Sequence, residues 1–290
     1  MIKGDTTRRV GLVVHPTRPL ESALETLREW VTRHRVDLVQ LSVEGGDRRV
    51  APPGKVEAGD LVVALGGDGT TLSALRAAAD VDAPVLGVAC GSLGALSAVS
   101  ADELADALER MRAGDWTARS LPAFAIHASD GTDEWALNDF VVVRRGSGQV
   151  VTELAVDDEL YVRLAGDGLI VATPVGSSGY TMAAGGPLLA ADTPAFVCTP
   201  LAMHGGSAPP LVVRSDAVLT VEVHPSYAGF DVEIDGHRRP LDARFFRLAL
   251  QESKVRLVTF SPSGQGLARL RQRGLIADSP RILARDQRAQ

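Results

Sequence analysis

Leu61-Val62-Val63-Ala64-Leu65-Gly66-Gly67-Asp68-Gly69-Thr70 decides how the first part of this chain folds. Five consecutive apolar residues fit a strand buried on both faces, and such strands belong to parallel sheets covered by helices. Gly66 and Gly67 end the run, and good helix formers occupy residues 70–79. This order puts the turn at the carboxyl end of a strand, where open α/β sheets bind ligands. Its three glycines permit a tight turn and close approach of the backbone to a ligand. The helix that follows offers free N–H groups and the positive end of its dipole to a phosphate. Into this anion-friendly turn the chain sets a carboxylate, Asp68. The combination points to a phosphate-binding functional site, with Gly66, Gly67, Gly69 and Thr70 as candidate phosphate holders beside the Asp68 carboxylate. A Gly-Asp-Gly turn with a purely structural role is the plainer alternative.

Outward from that stretch the first 115 residues alternate strand and helix signals. Residues 9–14 form a short apolar run; Leu20, Leu24, Leu27 and Val31 then recur at helical spacing. Residues 37–41 and 84–89 read as further strands. Ser100 and Glu103 make a capping box ahead of Leu104, Leu108 and Met111, and Gly114 stands where that helix should stop. Strands separated by helices imply a parallel sheet. From residue 123 to 260 the texture changes to short strands, at 136–143, 151–156, 160–164, 169–172, 218–223, 232–234 and 256–260. The fold class is therefore an α/β N-terminal domain with a parallel sheet, followed by a β-rich, sandwich-like C-terminal domain. The expected divisions are 1–118, 119–260 and a basic segment, 261–290, packing back on the first domain. Residues 114–122 are the expected linker.

Composition removes several classes of function. Of 290 residues 45% are hydrophobic and 23% charged, too apolar for a disordered chain. The apolar runs are too short to span a bilayer, and residues 1–10 lack the apolar core of a signal peptide. Cys90 and Cys198 supply neither a disulfide framework nor a metal cluster, so a reducing cytoplasm is the expected compartment. A net charge of −6 and 4% aromatic residues argue against a nucleic-acid surface. Residues 262–290 carry six arginines against Asp278 and Asp286, which reads as a solvated terminal helix or as an arm near an anionic ligand. His204-Gly205-Gly206 reads as loop, since no second metal-spaced ligand accompanies it.

Gly66-Gly67-Asp68-Gly69-Thr70 resembles the signature of NAD kinases, and related forms occur in diacylglycerol, sphingosine and phosphofructokinases. Three further segments resemble NAD kinases in the family's order. They are Asn138-Asp139, the block from Asp167-Gly168 through Thr173-Pro174-Val175-Gly176-Ser177-Ser178-Gly179-Tyr180 to Gly185-Gly186-Pro187, and Asp235-Gly236-His237. The resemblance implies transfer of a phosphoryl group from ATP, or polyphosphate, to the 2′-hydroxyl of the adenosine ribose of NAD, with Asp68 as candidate base. It implies that Mg²⁺ or another divalent cation accompanies ATP; no metal ligands in the chain itself are indicated. It implies NAD contacts at Asp68, Gly69, Asn138, Asp139, Asp167, Ser178, Gly179, Tyr180, Thr181, Ala183 and His237. Asn138 suits an adenine edge, Asp139 ribose hydroxyls, and Tyr180 an aromatic stack. A homo-oligomer, dimer or tetramer, is implied because the family completes its site across a subunit interface. Nucleic acid and membrane are not expected partners. The chain departs from the family at Ser178-Gly179, Ala183, Ala165 and His237, all around the substrate. A lipid kinase sharing the turn and a non-catalytic dinucleotide-binding paralogue are the alternatives.

Overall fold

The computed structural model describes residues 7–225, 228–260, 270–271 and 274–288. The chain forms two compact units: Met1–Ser120 together with Lys254–Gln290, and Leu121–Ser253. Of the expected returning segment 261–290, residues 261–269, 272–273 and 289–290 lie outside the described residues.

The first unit is built on β1 (Arg9–Val14), β2 (Asp37–Gln40), β3 (Leu61–Gly66) and β4 (Pro84–Ala89). All pair in parallel: β3 lies between β1 and β4, and β2 flanks β1. Every residue of β3 and β4 is buried, which explains the unbroken apolar runs. The short β5 (Val99–Ser100) adds to β4, as do Arg256 and Leu257 near the end of the chain's last strand, β17 (Phe245–Thr259). Helix α1 (Glu21–His34) buries Leu24, Leu27, Trp30 and Val31, the stripe read from the sequence plus a tryptophan. It ends at Arg35 in the left-handed conformation, φ 56°. Helix α2 (Asp68–Ala78) follows the glycine turn. Helix α3 (Leu104–Ala113) follows a single tight turn whose capping box forms as expected. Glu103 accepts the Ser100 N–H and hydroxyl, each at 2.8 Å. Gly114, at φ 75°, terminates it. The final helix, α5 (Pro280–Arg288), belongs to this unit.

The second unit is an antiparallel sandwich. One sheet runs in the order β13 (Leu211–Arg214), β12 (Ala195–Leu201), β11 (Gly168–Ala172), β8 (Asp139–Arg144), β15 (Phe230–Ile234), β16 (His237–Arg239). Facing it are β10 (Glu159–Gly166), β9 (Val150–Val156), β14 (Val218–Pro225) and the first part of β17. Phe140, Val171, Phe196 and Ile234 of the first layer share one core with Leu154, Leu164, Val221 and Phe246 of the second. A hairpin of β6 (Thr117–Ala128) and β7 (Asp133–Ala136) adds Phe124, Ile126 and Ala136 to it.

Three readings change. The expected linker is already strand from Thr117. The last strand is three times longer than residues 256–260 suggested, because its alternating Phe246 and Leu248 face the sandwich core. The expected strand 136–143 breaks after Ala136 and resumes at Asp139. The chain changes sheets there, and the Asp235 carboxylate accepts the amides of the two intervening residues, Leu137 and Asn138, and that of Asp139.

Candidate active site

On the first unit the strand ends supply the parts. Gly67 is the extended N-cap of α2 (φ −122°, ψ −165°), and no side chain caps the helix. The helix start is thus left as an anion site. Gly66 is required sterically: a Cβ there would sit 2.3 Å from Thr70 Oγ1. Gly69 has open space around it. Asp68 is held by the loop after β4. Its Oδ2 accepts the Ala95 N–H and its Oδ1 the Leu96 N–H, both at 2.9 Å. Gly94 lets that loop come so close, since a Cβ there would lie 1.9 Å from Asp68 Oδ1. A carboxylate has about four lone-pair positions, and these two amides take one on each oxygen. The orientation of Asp68 is therefore fixed by backbone.

Two neighbours escaped the sequence reading, His15 and Arg18. The Arg18 guanidinium lies over the turn. A Cβ on Gly67 would be 3.6 Å from its Nη1 and one on Gly91 2.8 Å, and Nη1 donates to Cys90 O at 3.4 Å. Arg48 braces it by donating to Arg18 O at 2.5 Å. His15 Nδ1 accepts the N–H groups of Thr17 and Arg18, at 3.2 Å each. Burial, then the charges of Arg18 and Arg48, push the imidazole pKa down. Nothing in a Pro-Thr-Arg-Pro loop marks Arg18 as part of a site.

On the second unit the turn Leu137–Asn138 is clamped from two sides. Asp235 Oδ2 accepts the Leu137 N–H at 3.1 Å; its Oδ1 accepts those of Asn138 at 2.6 Å and Asp139 at 3.2 Å. From the other side the Thr173 hydroxyl donates to Leu137 O at 2.6 Å, and the Thr173 N–H donates to Asn138 O at 2.9 Å. With its backbone held, the half-buried Asn138 carboxamide has no hydrogen bond among the described residues. The Asp139 carboxyl, 8% exposed, likewise has none. Burial, then the charges of Asp235 and Glu233, push its pKa up to about 7.

Tyr180 opens a single helical turn, α4 (Tyr180–Ala183), and is 41% exposed. Burial raises its pKa, as do the carboxylates of Glu233, Asp167 and Asp139. Thr181 is buried, and a Cβ on Gly186 would lie 2.6 Å from its methyl. The Ser178 hydroxyl donates to Val175 O at 3.2 Å. Gly179 has a negative φ, −101°, and an alanine methyl would meet Gly176 O at 3.3 Å. Asp167 is not free: Arg144 Nε donates to it at 2.5 Å, and His204 Nε2 lies 3.8 Å away. His237 pairs with Ile234 across the β15–β16 turn. The residue of that segment that reaches the Asn138-Asp139 turn is Asp235, which the sequence reading did not single out. Glu233 was also missed.

Both cysteines have raised pKa values from burial, which suits core residues. Among the described residues one group offers three clustered metal-ligand side chains: Glu153, Glu222 and His224, with ligand atoms within 4.8 Å of one another. Arg163 already pairs with Glu153 at 3.0 Å. No described helix is long and apolar enough to cross a membrane.

The pKa of Asp139 carries a stability prediction. A carboxyl near 7 in the fold and near 4 when unfolded favours the fold at acid pH, and that contribution is lost as pH rises through about 7. Asp139→Asn is expected to remove this dependence. At about pH 8 the variant should be the more stable by on the order of 1–3 kcal/mol, and at about pH 4 the gain should vanish. Thermal melts of both proteins across that range check it, and a variant uniformly less stable would contradict it.

A buried parallel strand, a glycine turn and a backbone-fixed carboxylate at an uncapped helix start are parts that an enzyme of phosphoryl transfer needs. Residues 31–116 match the ATP-NAD kinase N-terminal domain, and residues 137–255 the ATP-NAD kinase C-terminal domain. The NAD kinase of Heliobacterium modesticaldum is 35% identical over 241 residues, covering 78% of this chain and 84% of the relative. The NAD kinase of Chlorobium phaeovibrioides is 33% identical over 284 residues, 94% of each. Two solved structures share the fold. Yeast NADH kinase complexed with NADH gives a TM-score of 0.80 at 20% identity, over 95% of this chain and 89% of that one. An NAD kinase from Archaeoglobus fulgidus in complex with ATP gives 0.70 at 23% identity, over 91% and 99%. The chain belongs to the ATP-NAD kinase family.

Proposed function

We propose that this chain transfers the terminal phosphoryl group of ATP to the 2′-hydroxyl of the adenosine ribose of NAD, giving NADP and ADP. The observation that carries the reading is the Asp68 carboxylate, fixed by two amides at the start of α2, in a chain of this family. Asp68 takes the proton of the ribose hydroxyl, the freed oxygen attacks the terminal phosphorus, and the bond to the ADP oxygen breaks. The amides at the start of α2 and the Arg18 guanidinium hold phosphate oxygens. Asn138 reads the adenine edge, and Asp139 accepts from ribose hydroxyls. Tyr180 supplies a ring face. Ser178, Gly179, Ala183 and His237 remain proposed contacts; buried Thr181 supports α4, and Asp167 acts together with Arg144. A divalent cation arriving with ATP would neutralise charge on the phosphates. A homo-oligomeric assembly in the cytoplasm completes the reading. The lipid-kinase and non-catalytic alternatives are not favoured by the relatives, which are NAD kinases.

The test is turnover of NAD with ATP and Mg²⁺, read with an NADP-specific dehydrogenase, against a panel of lipid acceptors. Arg18 adds a sharper arm. A charge-assisted hydrogen bond is worth about 1.5–3 kcal/mol. Arg18→Ala is therefore expected to raise KM for ATP roughly 10- to 100-fold while NAD binding stays unchanged. An unaltered KM for ATP removes Arg18 from the donor site.

A further inference from the structure

We propose that Asp235 is a positioning residue for NAD: its carboxylate fixes the direction in which the Asn138 carboxamide and the Asp139 carboxyl point. A second consequence is electrostatic: after burial, the Asp235 charge helps to push the Asp139 pKa up. The proposal rests on reading Asn138 and Asp139 as NAD contacts. One buried carboxylate, 7% exposed, collects three successive amides from a segment nearly a hundred residues away. Backbone amides rarely leave a sheet for a side chain, since the neighbouring strand offers them partners at no cost in desolvated charge. At Leu137–Asn138 the chain crosses from β7 in one sheet to β8 in the other, and the amides of the crossing go to one buried carboxylate instead of a strand.

The turn that carries Asp235 is also specialised. Asp235 is left-handed at φ 52°, and Gly236 follows at φ 77°. The backbone returns a further bond, Asp235 N–H to Asp139 O at 3.0 Å. Asn138 and Asp139 thus have every main-chain direction fixed, while their side chains keep no partner among the described residues. Such an arrangement holds two polar side chains ready for a ligand.

A plain structural cap would account for the amide bonds. It would not account for placing a second buried carboxyl beside the first. Among the described residues the charged and titratable groups around Asp139 are Asp235 from the β15–β16 turn, Glu233 from β15 and Tyr180 from α4; the neighbouring paired strand offers Ala172 and then Thr173. No cation is among them. The charged form of Asp139, the better acceptor for ribose hydroxyls, accordingly gains population as pH rises through about 7.

The experiment is NAD affinity by calorimetry as a function of pH, with kcat and both KM values, for the whole 290-residue chain. In the wild type affinity should rise with pH around 7, and Asp139→Asn should abolish that rise. Asp235→Asn keeps the shape but loses the charge and one acceptor oxygen. It should weaken NAD binding at least tenfold with KM for ATP unchanged, and move the pH midpoint down. Glu233→Gln should move the midpoint down without weakening binding at high pH, because Glu233 holds none of the three amides. Gly236→Ala, strained at positive φ but in open space, should weaken NAD several-fold and leave the midpoint in place; it serves if the Asp235 variant does not fold. An Asp235→Asn or Gly236→Ala protein with wild-type affinity, or an Asp235→Asn protein with an unmoved midpoint, overturns the proposal. Asn138→Ala separates the two levels. If it leaves NAD affinity unchanged, the underlying site reading fails; if it weakens NAD while the Asp235 variant does not, only the positioning role fails.

Discussion

Asp68→Asn is expected to slow NADP formation by about 10²- to 10⁴-fold, the usual contribution of a general base. The amide retains the shape of the carboxylate and cannot take the ribose proton. The geometry adds a second consequence. Both oxygens of Asp68 receive backbone N–H groups, from Ala95 and Leu96. Asparagine must turn an NH₂ toward one of them, so a hydrogen bond is replaced by two opposed donors at a cost of about 1–3 kcal/mol. The variant should therefore fold with a lower melting temperature, and its rate must be measured well below that temperature. Gly94→Ala probes the same carboxylate without changing its chemistry, because the new methyl would stand 1.9 Å from Oδ1 and push the group aside. Its rate should fall as well. A folded Asp68→Asn protein with near-wild-type turnover would end the assignment of Asp68 as base.

Gly176→Ala is expected to remove measurable NAD binding. A Cβ at 176 would lie 2.0 Å from Asn138 O, 2.4 Å from its C and 2.7 Å from its Cα, all of them backbone. No rotamer change relieves such a contact; either Asn138 moves away or the Thr173–Gly176 turn opens. Overpacking of this kind costs about 1–3 kcal/mol, occasionally more. The Thr173 bonds to Leu137 O and Asn138 O lie in the same contact and are strained with it. Calorimetry with NAD and a thermal melt check the expectation. A variant with ordinary affinity would show that the Asn138 turn can shift freely, and would detach it from the dinucleotide.

The first unit was largely legible because its signals are local. An unbroken apolar strand, a glycine turn, a helical stripe and a Ser100–Glu103 capping box each sit within a few residues, and each formed. Asp68 was legible for the same reason. Arg18 was not, since it reaches the turn from the loop after a different strand. On the second unit the strands were visible as alternation, but the break at Leu137–Asn138 was not. The carboxylate that takes the amides there, Asp235, lies 96 to 98 residues away along the chain, and only the fold brings the two together. Family resemblance pointed to His237 in that segment, where the geometry points two residues earlier. The Asp167–Arg144 pair also needed the sheet register, which sets residues 23 apart side by side.

The central claim is chemical: a phosphoryl group leaves ATP and arrives on the 2′-oxygen of the adenosine ribose of NAD. Phosphorus NMR of a reaction holding the protein, ATP, Mg²⁺ and NAD follows every phosphorus at once. The account predicts loss of the terminal ATP resonance, growth of ADP, and one new phosphomonoester resonance that coincides with the 2′-phosphate of added NADP. Release of inorganic phosphate alone, or no consumption of ATP by a protein that binds both nucleotides, would contradict it.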